Sequence, residues 1–252
     1  MVKELEHVRA LGRPLRAWNA DQAAARTPVL AGVVPFDAPR GVGAGLRLVR
    51  PWVLGRSLEQ VLFDGPLERD RALAVGAGVL RALRALHDRG VTHRNLRPGN
   101  VILGPRGPVL VDLGLTFVQD PAGSEALRTP SRIRYLSPEQ TGALTHEVDA
   151  RTDLHAAGLL LWEALTGEPA QQALELGGLI RAQIAAATPA MPGQPAALEG
   201  LLRRLLHPDP RERYQSADAA LQDLEELARG LAAGEDDPTI ELGAADLRSS
   251  LA

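Results

Sequence analysis

The spacing of apolar residues changes its period part-way along the chain. Before residue 54 the apolar positions come in short β-like runs broken by Pro and Gly, which predict strands at 6–12, 15–20, 27–34 and 45–53. The stretch 35–45, PFDAPRGVGAG, has no helical period and reads as a loop. From Leu67 the repeat becomes helical. Leu73, Leu80, Leu83 and Leu86 share a face, and Gly90 is a natural stop. Two short apolar runs, Val101 to Leu103 and Val109 to Val111, flank GPRGP and predict a hairpin. After a loop at 115–137, helices are expected at 153–166, 196–206 and 216–231. The first of these is apolar on most sides, which marks a buried helix, and Gly167 closes it. The last has Ser216 as N-cap and Leu221, Leu224, Leu227 and Leu231 as its inner stripe. The pattern predicts an α+β chain: a β-rich part at 1–54, a mainly helical part at 55–231, and an acidic tail at 232–252, GEDDPTIELGAADLRSSLA from Gly234, expected to be flexible.

Composition narrows the function. The chain has 252 residues, 45% of them hydrophobic and 23% charged, enough for one two-lobed domain or two small ones. A net charge of −3 and only 3% aromatics argue against nucleic-acid partners. The absence of cysteine excludes a disulfide scaffold, thiolate metal sites and thiol nucleophiles. The N-terminus has no continuous apolar stretch, and the most apolar segment, His155 to Leu165, is too short to span a bilayer. No membrane partner and a cytoplasmic location are therefore expected. Lys3 is the single lysine among 28 basic residues, so a lysine replaced by arginine carries little meaning here.

The chemistry concentrates in His93-Arg94-Asn95-Leu96-Arg97-Pro98-Gly99-Asn100 and, one hairpin later, Val111-Asp112-Leu113-Gly114. These resemble the catalytic loop and metal-binding loop of eukaryotic-type protein kinases, in the form common among bacterial Ser/Thr kinases. Arg134 to Gln140, RYLSPEQ, resembles the end of the activation segment; Asp153 opening an apolar helix resembles the buried helix of the large lobe. Pro208 to Tyr214, PDPRERY, is similar to the late arginine motif. The motifs stand in family order over about 55–230. The resemblance implies a bilobal kinase-like fold with a reduced β-rich N-lobe and a mainly helical C-lobe. It also implies that Asn100 and Asp112 are remnants of a magnesium–ATP site, or that Asp112 only caps its local turn. Glu139 and Arg213 would form a buried ion pair, against the alternative of two solvated charges. Asp153 would hold the catalytic-loop backbone or serve as a plain helix N-cap, and His93 would pack beneath the loop.

The departures from the family pattern sit where phosphoryl transfer is done. The aspartate that orients the substrate hydroxyl and takes its proton is Asn95, and loss of a positioned base is worth about 10²–10⁴ in rate. The phosphate-contacting lysine two positions on is Arg97, and the threonine before Tyr135 that partners the catalytic aspartate is Arg132. With 6–12, 15–20 and 27–34 as the first three strands, the phosphate-covering loop shrinks to Gly12-Arg13-Pro14, the anchoring lysine becomes Gly32, and 35–45 leaves no room for the regulatory helix. With 3–25 as that helix, Pro14 interrupts it; in neither register does a lysine reach the anchoring place.

The expected function is a catalytically inactive kinase-like scaffold or allosteric module, with weak magnesium–ATP binding at most and no cofactor required. Its partners would be a kinase, a phosphatase or a phosphothreonine-binding protein. Thr239, in the acidic tail, is a candidate phosphosite, against the alternative of an unmodified solubilising tail. The runner-up is a residual Ser/Thr protein kinase built on Asn100, Asp112 and Arg97. A phosphotransferase of the aminoglycoside type would leave Ser137-Pro138-Glu139 and the Arg213 motif unexplained.

Overall fold

The computed structural model describes residues 2–5, 19–25, 32–37, 40–42, 45–114, 133–142, 144–172, 176–185 and 193–233. Two small sheets and a helical assembly make up the fold. The first sheet has three strands in the order β1 (Val2–Leu5), β4 (Gly45–Val49), β3 (Arg40–Val42), all antiparallel. Its sequence spacing differs from the alternating-run expectation. A strand covers 2–5, the expected strand at 6–12 lies outside the described residues, residues 19–25 form a helix, α1, overlapping the expected strand at 15–20, and 40–42 is a strand inside the expected loop. Short apolar runs fit either period, and here α1 is an alanine-rich segment, NADQAAA, whose intrinsic preference is helical.

The second sheet is ordered β2 (Val33–Val34), β7 (Gly107–Val111), β6 (Val101–Gly104), β5 (Arg56–Ser57), with β2 parallel to β7 and the hairpin β6–β7 antiparallel. Immediately after β5, Ser57 caps the short helix α2 (Leu58–Leu62) through a reciprocal box with Gln60.

The helical part is built on α3 (Arg69–His87) and α4 (Arg151–Thr166), with α5 (Leu176–Ile184), α6 (Ala196–Leu205) and α7 (Ala217–Ala232) around them. Leu73, Leu80, Leu83 and Leu86 of α3 are all buried, and α4 is buried on nearly every side, including Leu154, Leu160 and Trp162. Gly167, at φ 75°, ends α4 in the left-handed conformation that glycine adopts without steric cost. Helices α3 and α7 run antiparallel, bridged by Arg84–Asp218 at 2.8 Å and Arg81–Glu225 at 2.7 Å. Gly78 on α3 lets the β6–β7 hairpin close on the helix: a Cβ there would lie 2.6 Å from Pro108 Cδ. That contact fixes the hairpin, and with it Asp112 at its end, against the helical part. No helix among the described residues is long and apolar enough to cross a membrane.

Candidate active site

The segment from Val91 to Asn100 links α3 to the hairpin, and its shape is dictated from below by one carboxylate. Asp153, in the first turn of α4 and 1% exposed, accepts from the His93 N–H at 2.7 Å and the Arg94 N–H at 2.8 Å. His87 Nε2 lies 3.0 Å from the same group. Arg94 has φ 57°, an arrangement that costs a non-glycine residue about 1–3 kcal/mol and persists only where surroundings impose it. Asp153 imposes it here. His93 is fully buried, and burial pushes its pKa down, so the ring is neutral; its Nδ1 accepts the Asn95 N–H at 3.3 Å. A neutral ring used as a main-chain acceptor is a brace.

Above this brace, Asn95 turns its amide inward. Its Nδ2 donates to the main-chain carbonyl of Asp112 at 3.0 Å, and its own carbonyl accepts from Asn100 Nδ2 at 2.7 Å. The loop and the 112–114 turn are thereby stitched together through neutral groups. A small cavity beside the loop is lined by residues that include Asn95, Arg97, Tyr135, Leu136, Gln140 and Asp153. Asp153 is the one carboxylate in that lining, and both its oxygens are engaged as described. Arg97, partly exposed, approaches Glu59 only to 4.0 Å.

Asp112 stands at φ 62° and is 4% exposed. Arg50, directly after β4 and also 4% exposed, places its Nε 3.2 Å from Asp112 Oδ1 while its Nη1 donates to Pro51 O at 3.3 Å. Gln22 of α1, 1% exposed, reaches the same turn: its Nε2 donates to Leu113 O at 2.9 Å and its Oε1 accepts the Phe36 N–H at 2.8 Å.

A second polar cluster lies deeper. Arg213 grips Glu139 with both terminal nitrogens, at 2.7 and 2.8 Å, and both side chains are fully buried. Arg213 also donates to the carbonyls of His207, Pro208 and Arg151. Thr152 Oγ1 donates to Glu139 Oε1 at 2.9 Å. Burial works to raise the Glu139 pKa, but the Arg213 hydrogen bonds and charge outweigh it and hold the carboxyl near 2. Beside it His155 is buried, and burial followed by the Arg213 charge pushes its pKa down to about 3. Tyr135 donates to Glu163 at 2.5 Å, joining the 133–142 segment to α4.

A profile of the protein kinase domain matches residues 44–224. The chain belongs to the protein kinase family. It is 34% identical over 185 residues to serine/threonine-protein kinase PksC of Streptomyces coelicolor, covering 68% of this chain and 33% of that one. To serine/threonine-protein kinase PknB of Mycobacterium tuberculosis it is 30% identical over 238 residues, 90% of this chain and 36% of the relative. The chain thus spans about a third of the length of these curated relatives. The crystal structure of the Mycobacterium tuberculosis PknI kinase domain, C20A mutant, aligns at a TM-score of 0.65 and 22% identity, covering 90% of this chain and 84% of that one. The α+β, bilobal kinase fold follows from this likeness.

Within a kinase fold the N-terminal elements acquire a different register from either one read in the sequence. A kinase holds its phosphate-anchoring lysine on a strand of the small sheet, ahead of the helix whose glutamate it pairs with. Gly32 does not stand there. It has φ 77° and precedes β2, which pairs with the hairpin rather than with the small sheet. Lys3 does stand on such a strand, opposite Leu48 in the β1–β4 ladder and ahead of α1. The first register's expectation that Lys3 precedes the first strand is corrected, since Lys3 lies on β1. Pro14, which argued against a helix reaching back to residue 3, lies outside the described residues, and 19–25 are helical. That helix, however, contains no glutamate; its acid is Asp21, whose pKa burial raises against the opposing charge of Arg94. The Gly12–Pro14 turn, Arg132 and Thr239 lie outside the described residues.

The kinase residues that hold magnesium-bound ATP are only half suited to it here. Asn100 directs its amide nitrogen to Asn95 and keeps its amide oxygen as acceptor, which fits a metal ligand. Asp112 does not fit, because its carboxylate already faces a buried guanidinium. A divalent and a monovalent cation 4 Å apart repel by about 8 kcal/mol at an effective dielectric of 20. Arg50 and Gln22 were missed by sequence reasoning, although an arginine inside the apolar run GLRLVRPWV was a visible signal.

Proposed function

We propose that this kinase-family chain is a catalytically inactive module that binds protein partners. The observation that carries the reading is Asn95 at the base position with its amide nitrogen committed to Asp112 O at 3.0 Å. An amide there has neither the charge nor the basicity to take a hydroxyl proton. The neighbouring carboxylate, Asp153, is committed to the loop backbone. No cofactor is required by such a module. Trp52 and Leu54, 71% and 70% exposed and two residues apart, support a role in protein binding. A kinase, a phosphatase or a phosphothreonine reader is the partner class, the last recruited through phosphorylated Thr239.

A second reading, a residual Ser/Thr kinase, is favoured by Lys3 on β1 and by the names of the curated relatives. Incubation with radiolabelled ATP, magnesium and a generic basic protein substrate separates the two. The expected result is no transfer above a no-enzyme blank. Turnover that disappears in Asp112→Ala overturns the inactive reading.

A further inference from the structure

We propose that Arg50 is a built-in counter-cation that holds Asp112 in place of a divalent metal ion, so that the cleft does not respond to magnesium or manganese. The proposal rests on the kinase-family reading of Asp112 and deepens it. It does not depend on whether Asn95 supports transfer.

Three observations converge. First, a buried arginine requires a strong local reason, and Arg50 donates to the Asp112 carboxylate and to the adjacent Pro51 carbonyl. Both charged side chains of this pair are nearly sealed, at 3% and 5% exposure, so solvent screens the interaction little. Second, neutral hydrogen bonds hold the turn that presents Asp112 from other directions. Gln22 Nε2 reaches Leu113 O, Asn95 Nδ2 reaches Asp112 O, and the Gly114 N–H reaches His93 O at 2.8 Å. The carboxylate is thus fixed in position, with the Arg50 guanidinium set 3.2 Å from it. Third, Arg50 follows β4 directly, so its backbone is anchored by the β1–β4–β3 sheet rather than by a loose loop. The arginine arrives at the carboxylate from the small sheet while Asp112 is fixed by the hairpin of the second one. The pair therefore also clamps the two sheets across the cleft.

A tethered cation has an effective concentration that a dissolved ion must outcompete, and a metal bound to Asp112 would sit against an unremoved positive charge. Arg50→Met, similar in length and apolar, removes the guanidinium from beside the buried carboxylate. That variant is destabilised in chelator, and a divalent ion that restores its charge balance restores its stability.

The test is thermal unfolding of the whole chain in EDTA, then over millimolar titrations of magnesium chloride and manganese chloride, each with and without ATP. Wild type is expected to melt at the same temperature with metal as in EDTA, and any shift produced by ATP is expected to be the same in both. Arg50→Met is expected to melt lower in EDTA and to recover by about 5 °C or more, saturably, on adding manganese. Arg50→Met with Asp112→Asn is expected to lose that recovery. A saturable metal-dependent rise in wild type overturns the proposal even if no variant folds. So does an Arg50→Met variant that folds but ignores both metals. Magnesium-dependent phosphoryl transfer by wild type would overturn this proposal and the inactive reading together, whereas either result above without transfer overturns this proposal alone.

Discussion

The floor beneath the loop and the cleft above it are made from the same kinds of side chain and use them in opposite ways. On the floor, Glu139, Arg213, Thr152 and Asp153 form a dense set of charge-assisted bonds, with Arg213 alone reaching Glu139 twice and three main-chain carbonyls. Each of these groups is buried, so each must be satisfied for the chain to fold. In the cleft, the base position holds a neutral amide, and Asp112, at the family's metal-ligand position, faces an arginine. A catalytic carboxylate contributes to rate and little to folding, so its replacement leaves the scaffold standing. Asn95 shows how: it is close in shape to aspartate and still stitches the loop to the 112–114 turn. The contrast separates what the fold needs from what phosphoryl transfer needs.

The sharpest way to break the floor is Arg213→Ala. The substitution strands the Glu139 carboxylate in a fully buried site, and losing one partner of such a pair costs about 3–5 kcal/mol. For a domain of this size that corresponds to a fall in melting temperature of about 10 °C. An unchanged unfolding curve by calorimetry or circular dichroism would remove the pair from the framework. The exposed bridge Arg56–Asp64, with side chains more than half exposed, is the internal control: Arg56→Ala is expected to change stability by less than about 1 kcal/mol.

Acid should act on the floor before it acts on the cleft's amides, which do not titrate. Glu139 is held near 2 against an ordinary value of 4.5, so the unfolded chain takes up its proton first and stability falls as pH drops from 4.5 toward 2. His155 is held near 3 against 6.5, so the folded state refuses a proton that the unfolded chain accepts; stability falls as pH drops from 6.5 toward 3. His93, lowered by burial, adds in the same direction. The window between 6.5 and 4.5 therefore belongs to the histidines. Urea midpoints at pH 7, 6 and 5 are expected to decline in wild type and to decline roughly half as steeply in His155→Leu. Equal slopes would mean that His155 is not held neutral.

How much of this was legible in the sequence follows from the same division. The helical part was readable because its apolar repeat is long: the helix expected at 153–166 is observed at 151–166, and those at 196–206 and 216–231 at 196–205 and 217–232. The spacing of Asn95, Asn100 and Asp112 was readable because catalytic loops are short and local. The short helix 176–184, LGGLIRAQI, was not, since two glycines weaken its helical signal. The N-terminal third misled because runs of four to eight apolar residues fit a strand or a buried helix equally. Thus Lys3 was set aside in a register that the strand 2–5 replaces. The Arg50–Asp112 pair was invisible for a different reason. It joins residues 62 apart in sequence, and nothing in the local pattern around either one names the other.

A modest expected effect bears most directly on the cleft. Asn95→Asp restores the family residue at the base position and exchanges an N–H donor for a carboxylate oxygen facing Asp112 O. That loses one neutral hydrogen bond and sets two acceptors against each other, a cost of about 1–2 kcal/mol. Were the base the only missing part, this one change would bring back transfer, since a positioned base is worth about 10²–10⁴ in rate. The Arg50–Asp112 pair gives the opposite expectation, because a restored base still faces a carboxylate that holds a guanidinium. Asn95→Asp alone should therefore stay silent in the radiolabelled ATP assay while melting a few degrees lower. Asn95→Asp combined with Arg50→Met is the variant expected to show any transfer at all. Activity in the single variant would mean that the cleft differs from an active one by its base alone, and that Arg50 yields to the metal.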